Sequence, residues 1–254
     1  MIPKAFQIGP LTFHMYGFIL ALAIIAGWFV AKKRAYLYKI PKDILEDPVL
    51  LLPLVLSIAG ARLYHVLDYW QIYKNNPISA LNIAAGGLGI WGALFGVFIG
   101  FYIVAKIKKI NLISVLDLAA PSILLGQAIG RIANYINKEG FGPPTQAPWA
   151  VYIPPENRPI QYINSTHFHP TFFYEAAIDF VFFLLLLNLS RKFNKPGRTF
   201  ALYLILYSTG RFIVEFFRTD TATVGTIKVA QVLSICATLL GIFIFIKNKG
   251  VDRA

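Results

Sequence analysis

Apolar residues along this chain gather into runs near twenty long, with polar and charged residues concentrated between them. Seven runs stand out, at about 14–31, 49–67, 88–105, 113–131, 171–190, 199–217 and 227–246. A helix rises 1.5 Å per residue and bilayer hydrocarbon is about 30 Å thick, so some twenty apolar residues span it. The pattern predicts an all-α integral membrane protein with seven transmembrane helices, forming a single polytopic domain over 1–254. The run at 113–131 is the least apolar, since it holds Asp117, Gln127 and Arg131. Only Lys4 among basic residues precedes the first run, and no small-residue cleavage site follows it, so it reads as a retained helix. Between runs four and five lies an irregular connection, about 132–170, containing Pro143, Pro144, Pro148, Pro154, Pro155 and Pro159. A connection this long without regular structure is uncommon unless it is functional or disordered. Trp149, Tyr152 and Tyr162 suggest that it lies on a membrane surface.

Basic residues give the orientation. Lys32, Lys33, Arg34, Lys39 and Lys42 follow run one, and Lys106, Lys108 and Lys109 follow run three. Arg191, Lys192, Lys195 and Arg198 follow run five, and Lys247, Lys249 and Arg253 follow run seven. Cytoplasmic connections are rich in Lys and Arg. The N-terminus is therefore expected outside, the C-terminus in the cytoplasm, and the 132–170 region is extracytoplasmic.

Composition agrees. Hydrophobic residues make up 57% of the chain and charged ones 14%, with a mean hydropathy of +0.60; a soluble domain carries about 25% charged residues. Soluble enzymes, disordered scaffolds and disulfide modules are excluded. The single cysteine, Cys236, rules out an intramolecular disulfide and reads as a packed apolar residue. A net charge of +12 would suit nucleic acid, but topology and attraction to anionic headgroups account for it, and no nucleic-acid partner is expected. Gly92, Gly96 and Gly100, and likewise Gly126 and Gly130, are spaced by four, which lets helices approach closely.

Polar residues inside the runs narrow the function. A charge at mid-bilayer costs roughly 2.5–3.5 kcal/mol, so each asks for a partner or a purpose. With the orientation above, Arg62, Arg131, Arg211 and Glu215 fall toward the outer ends of outward-running spans. His14, Tyr16, Trp91, Tyr174 and Glu175 fall near the outer starts of inward-running ones. Asp117 is the exception, near an inner end. Tyr207, Arg211, Glu215 and Arg218 stand at i, i+4, i+8 and i+11, one helical stripe, where Arg211 and Glu215 can pair. Such a pair reads either as a staple between helices or as part of a site. In Gly130–Gly142, Arg131 and Asn134 share a helix face, and an arginine fork with a neutral amide suits a phosphate diester. The cluster implies a polar cavity open to the outer leaflet. His167 and His169 lack a carboxylate or cysteine companion nearby, so no metal site is expected.

Several segments together resemble the prolipoprotein diacylglyceryl transferase family. GRIANYINKEGFG (130–142) is similar to its signature, and HMYG (14–17), GARLYHVLDY (60–69), GGLGIWGALFG (86–96), HPTFFYE (169–175) and YSTGRFIVEFFR (207–218) fall in the family's order. The resemblance covers most of the chain. It implies a bacterial cytoplasmic-membrane enzyme with its active site facing the outer leaflet. Such an enzyme transfers diacylglyceryl from phosphatidylglycerol to the lipobox cysteine of a prolipoprotein, forming a thioether and releasing glycerol phosphate. It implies no cofactor, and a monomer suffices. By the same resemblance Arg131, Arg211, Glu139, Tyr16, Tyr207 and Glu215 are catalytic. Arg131, Asn134, Gly142, Arg211 and Arg218 bind phosphatidylglycerol.

One position departs from the family. Trp91 stands where many members carry a histidine considered as the base for the thiol. Glu139, His14 and the leaving phosphate remain as proton acceptors. A lipid transporter using the same arginines is the main competing reading. It would need polar groups across the full bilayer depth, whereas here they gather in the outer half. A structural scaffold is disfavoured by the buried charge.

Overall fold

The computed structural model describes residues 5–9, 11–83, 86–219 and 221–248. Lys4, Lys249 and Arg253 lie outside the described residues. Helices dominate: α1 (Met15–Arg34), α2 (Leu51–Asp68), the one-turn α3 (Trp70–Tyr73), α4 (Ile90–Ile107) and α5 (Leu112–Asn137) come first. α6 (Thr171–Leu189), α7 (Arg198–Glu215) and α8 (Val229–Lys247) follow. Short antiparallel hairpins join β1 (Ala5–Ile8) to β2 (Leu11–His14), β3 (Val151–Tyr152) to β4 (His167–Phe168), and β5 (Thr223–Val224) to β6 (Ile227–Lys228).

Six helical segments among the described residues are long and apolar enough to cross a membrane: Met15–Tyr38, Pro48–Asp68, Ile90–Ile107, Leu112–Asn137, Thr171–Lys192 and Val229–Lys247. α7 is as long as α2 and α4, but Arg198, Arg211 and Glu215 keep it out of that set. The largest departure from the expected boundaries is at the end of the fourth run. α5 continues through Asn137, so residues 132–137 are helix rather than loop. No breaker intervenes until Lys138 and Gly140, which take φ of 59° and 69°, and Ala133 and Ile136 keep an apolar face toward Ile19. The last helix starts at Val229 because Ile227 and Lys228 pair in a hairpin.

The chain forms two compact units, one of residues Ala35–Val115 and one of Met1–Arg34 with Leu116–Ala254. In the first, α2 and α4 pack through small residues. A Cβ on Gly92 would lie 2.6 Å from the carbonyl carbon of Gly60, and one on Gly100 would lie 2.8 Å from the nitrogen of Pro53. The four-residue glycine spacing is thus a packing device here. Gly126 and Gly130 face open space instead, so close approach does not explain them. Arg62 is buried and spends its guanidinium on main-chain carbonyls: Ala80 at 2.7 Å, Gly86 at 2.6 Å, Gly87 at 3.0 Å and Ser79 at 2.8 Å. It ties the loop after α3 to α2. Asp47 accepts Val49 N–H at 2.9 Å and pairs with Lys108, and the lysine hydrogen bond holds its carboxyl below the usual aspartate range.

In the second unit, Ala120, Leu124, Phe183, Leu186 and Tyr203 join α5, α6 and α7 in one buried core. Charged side chains close the helix ends, where backbone groups lack intrahelical partners. Asp117, the exception in the sequence, accepts the N–H groups of Gly197 at 2.6 Å and Phe200 at 2.7 Å and so caps α7 from another helix. Arg34 donates to Leu187 O at 3.1 Å and to Ser190 Oγ at the end of α6. Lys228 donates to the carbonyls of Glu215 at 2.5 Å and Arg218 at 3.2 Å beyond α7. Cys236 is exposed on α8 rather than packed, beside exposed Ile235 and Leu239, on a face suited to lipid.

Residues 138–170 are more ordered than their prolines suggest. Phe141, Ile153, Phe168 and Phe172 form a small buried core of their own. Arg158 fastens it by donating to Ile153 O at 2.8 Å and Ile163 O at 2.9 Å. Trp149 is exposed as expected, whereas Tyr162 packs against Phe168.

Candidate active site

The site is built where α5 ends, α6 begins and α7 ends. Thr171, fully buried at the start of α6, donates Oγ1 to Gly140 O at 2.5 Å, which pins the turn after α5 to α6. Gly142 N–H reaches His169 O at 2.8 Å, and His169 N–H returns to Pro143 O at 3.0 Å. A Cβ on Gly142 would lie 2.6 Å from Phe217 O, so only glycine lets this turn seat against the end of α7.

That frame sets three arginines around one carboxylate. Glu175, one turn into α6 and only 5% exposed, receives Arg211 Nη1 and Arg218 Nη1 on Oε1, each at 3.0 Å. Its Oε2 pairs with Arg131 Nη2. Arg211 Nη2 also meets the fully buried Glu215 at 2.6 Å, the i, i+4 pair anticipated on α7. Arg218 lies past the helix end yet its guanidinium reaches the same point. From Arg131 a polar chain runs outward: Nη1 to Asn134 Oδ1 at 3.4 Å, then Asn134 Nδ2 to Glu139 Oε1 at 3.0 Å. Asn137 Nδ2 meets the same oxygen at 3.4 Å. Glu139 itself is exposed.

A buried charge cluster is a weak way to gain stability, because desolvation offsets much of the attraction. Guanidinium groups converging from three chain segments instead make an anion-binding centre whose forks match carboxylate or phosphate oxygens. The question is which anion. A family model described as prolipoprotein diacylglyceryl transferase matches residues 3–247. The chain belongs to the prolipoprotein diacylglyceryl transferase family. Proteins named phosphatidylglycerol–prolipoprotein diacylglyceryl transferase from several bacteria are similar along nearly their whole length. The one from Clostridium novyi is 39% identical over 249 residues, which is 98% of this chain and 96% of that one. That of Staphylococcus haemolyticus is 40% identical over 250 residues, covering 97% and 88%. That of Acaryochloris marina is 38% identical over 241 residues, covering 94% and 88%.

Of the residues expected in this transferase's site, the fold gathers Arg131, Asn134, Glu139, Arg211, Glu215 and Arg218 into one connected network. Tyr207 lies within electrostatic reach of Arg131 and Arg211 and stacks on Tyr203, with centroids 5.8 Å apart. Gly142 serves through close packing, since its N–H is already taken by His169. Tyr16 is not drawn in. It is half exposed at the start of α1, and no hydrogen bond, ion pair or ring contact joins it to the network among the described residues.

Asp179 was not expected in the site, and Glu175 was expected only as one of the polar groups of the outer cavity, without a role. Asp179 is buried one turn further along α6, close enough to Arg131, Arg211 and Glu175 to feel their charges, and its Oδ2 has no hydrogen-bond partner among the described residues. A signal existed. Two acids at i, i+4 in an otherwise apolar helix share a face, and the arginines of the neighbouring spans outnumber Glu215 alone.

Proposed function

We propose that the three-arginine centre binds the phosphate of phosphatidylglycerol while its diacylglyceryl group passes to the thiol of a prolipoprotein lipobox cysteine. The cysteine sulfur attacks the glycerol carbon that carries the phosphate ester. The new S–C bond replaces the C–O bond, whose electron pair leaves on phosphate oxygen as glycerol phosphate. The thiol gives up its proton. No electron is gained or lost overall. Charge grows on the departing phosphate, and preorganised donors aimed at it are commonly the largest contribution to such a rate. Arg131, Arg211 and Arg218 supply them, and Asn134 adds a neutral one.

For the proton, Glu139 is our choice. Trp91 offers no base, while Glu175 and Glu215 are buried beneath arginines. Glu139 is exposed, and Asn134 links it to Arg131.

We further propose that α7 is a seventh span in a single polytopic domain. The N-terminus is then outside, the C-terminus in the bacterial cytoplasm, and the site in the outer leaflet. The charges that exclude α7 from the apolar set support this reading, because Arg211 and Glu215 are paired within the protein, as charged residues in spans must be. The observation that carries the functional reading is the convergence of Arg131, Arg211 and Arg218 on one point. Purified protein incubated with phosphatidylglycerol and a lipobox peptide should add the mass of a diacylglyceryl group to the peptide cysteine. Headgroup movement between leaflets without peptide modification would favour a transporter instead.

A further inference from the structure

We infer that Glu175 makes the arginine centre discriminate by phosphate charge, retaining the diester substrate and shedding the monoester product. The inference rests on the transferase reading and adds selectivity to it.

Glu175 takes one terminal nitrogen of each of the three guanidinium groups: Oε1 takes Arg211 and Arg218 at 3.0 Å each, and Oε2 takes Arg131. At 5% exposure it is anchored, since its helix is held at Thr171 and by the buried Phe172. A phosphate bound by the same arginines must use their other N–H groups. It therefore sits about a guanidinium's width from a fixed carboxylate. The repulsion between them scales with the ligand's charge. A phosphodiester carries one negative charge, and a phosphate monoester carries about 1.5 to 2 at neutral pH. Measured on a logarithmic scale, Glu175 thus penalises the product up to twice as heavily as the substrate. Glu215 and Asp179 add to the same field, but Glu215 is paired with Arg211 and Asp179 stands a turn away. Replacing Glu175 by glutamine removes one charge whatever those two contribute, and leaves an oxygen to accept from the arginines.

The test uses the full-length protein in detergent with phosphatidylglycerol mixed micelles and a lipobox peptide, and glycerol phosphate as inhibitor. In Glu175→Gln, a fall of about threefold in KM for the lipid should accompany a fall of up to about tenfold in Ki for glycerol phosphate. Turnover at saturation should fall more than the single-turnover rate, because product leaves slowly. Glu175→Asp keeps the charge and should keep the wild-type ratio of Ki to KM even where turnover drops. Unchanged Ki in Glu175→Gln, or KM and Ki rising together, would overturn the inference. If Glu175→Gln does not fold, a tenfold change of that ratio in Glu175→Asp would overturn it equally. Wild-type protein that forms no thioether refutes the transferase reading itself, which separates the two failures.

Discussion

Arg131→Lys asks whether the centre grips phosphate with a fork or only with charge. Arg131 Nη2 pairs with Glu175, and Nη1 reaches Asn134 at a long 3.4 Å. Lysine keeps the positive charge but presents it as a point on a flexible stem, without the planar edge. The buried Glu175 therefore still faces three cations. What folding loses is the contact to Asn134, worth at most about 0.5–1.5 kcal/mol. Catalysis loses more. One preorganised donor aimed at developing charge is worth roughly 10²–10³ in rate, or about 2.7–4 kcal/mol. Arg131→Lys should thus unfold within a few degrees of wild type while kcat/KM drops by about two to three orders of magnitude. Thioether formation followed by mass spectrometry, with thermal unfolding in the same detergent, reads both quantities. A rate within a few-fold of wild type would refute the fork. Loss of folding in step with activity would make Arg131 a helix staple.

Three further outcomes follow from the helix ends and the topology. Arg62→Lys should destabilise the fold by about 2–4 kcal/mol, read by thermal or denaturant melts, because one ammonium cannot serve four carbonyls held by a guanidinium. Asp117→Asn keeps one of two acceptors at the start of α7 and should cost about 1–2 kcal/mol in the same measurement. In a Cys236→Ser background, which should retain activity, a cysteine at position 165 (Ser165→Cys) should label with a membrane-impermeant reagent from outside. One at 194 (Asn194→Cys) should label only after lysis, and the reverse pattern would put the site in the wrong leaflet.

The helices were legible because bilayer thickness fixes run length, and the four-residue glycine spacing marked a close-packing face on α4 without naming α2 as its partner. Gly126 and Gly130 show the limit of that rule: spacing alone does not say whether a neighbouring backbone is there. The stripe on α7 was legible for the same geometric reason, and Arg211 does meet Glu215. What the sequence could not deliver was the partner of each charge across the bundle. Arg131 looked like a free phosphate ligand, yet it is already engaged by Glu175, forty-four positions away. Asp117 looked like an anomaly in depth because its partners are the N–H groups of a helix eighty residues on. Both relations depend on which helices pack together, which local periodicity does not contain.

The proton leaves one question that structure narrows. With Trp91 in place of histidine, a base must come from elsewhere, and Glu139 is the carboxylate of the network that is exposed. Its Oε1 is shared by the amides of Asn134 and Asn137, which leaves Oε2 for a thiol or an intervening water. Glutamine at 139 retains a carbonyl for those amides, so the turn after α5 should hold its shape. It cannot take a proton. General-base assistance contributes about 10²–10⁴ in rate, so Glu139→Gln should lose at least about a hundredfold. Its residual activity should then climb close to tenfold per pH unit as the thiol ionises unaided, up to about pH 8.5, whereas the wild-type profile rises less steeply. If the variant instead keeps the wild-type pH profile and merely scales it down a few-fold, Glu139 orients Asn134 and nothing more. The proton would then have to leave on His14 or on the departing phosphate, the two acceptors that remain.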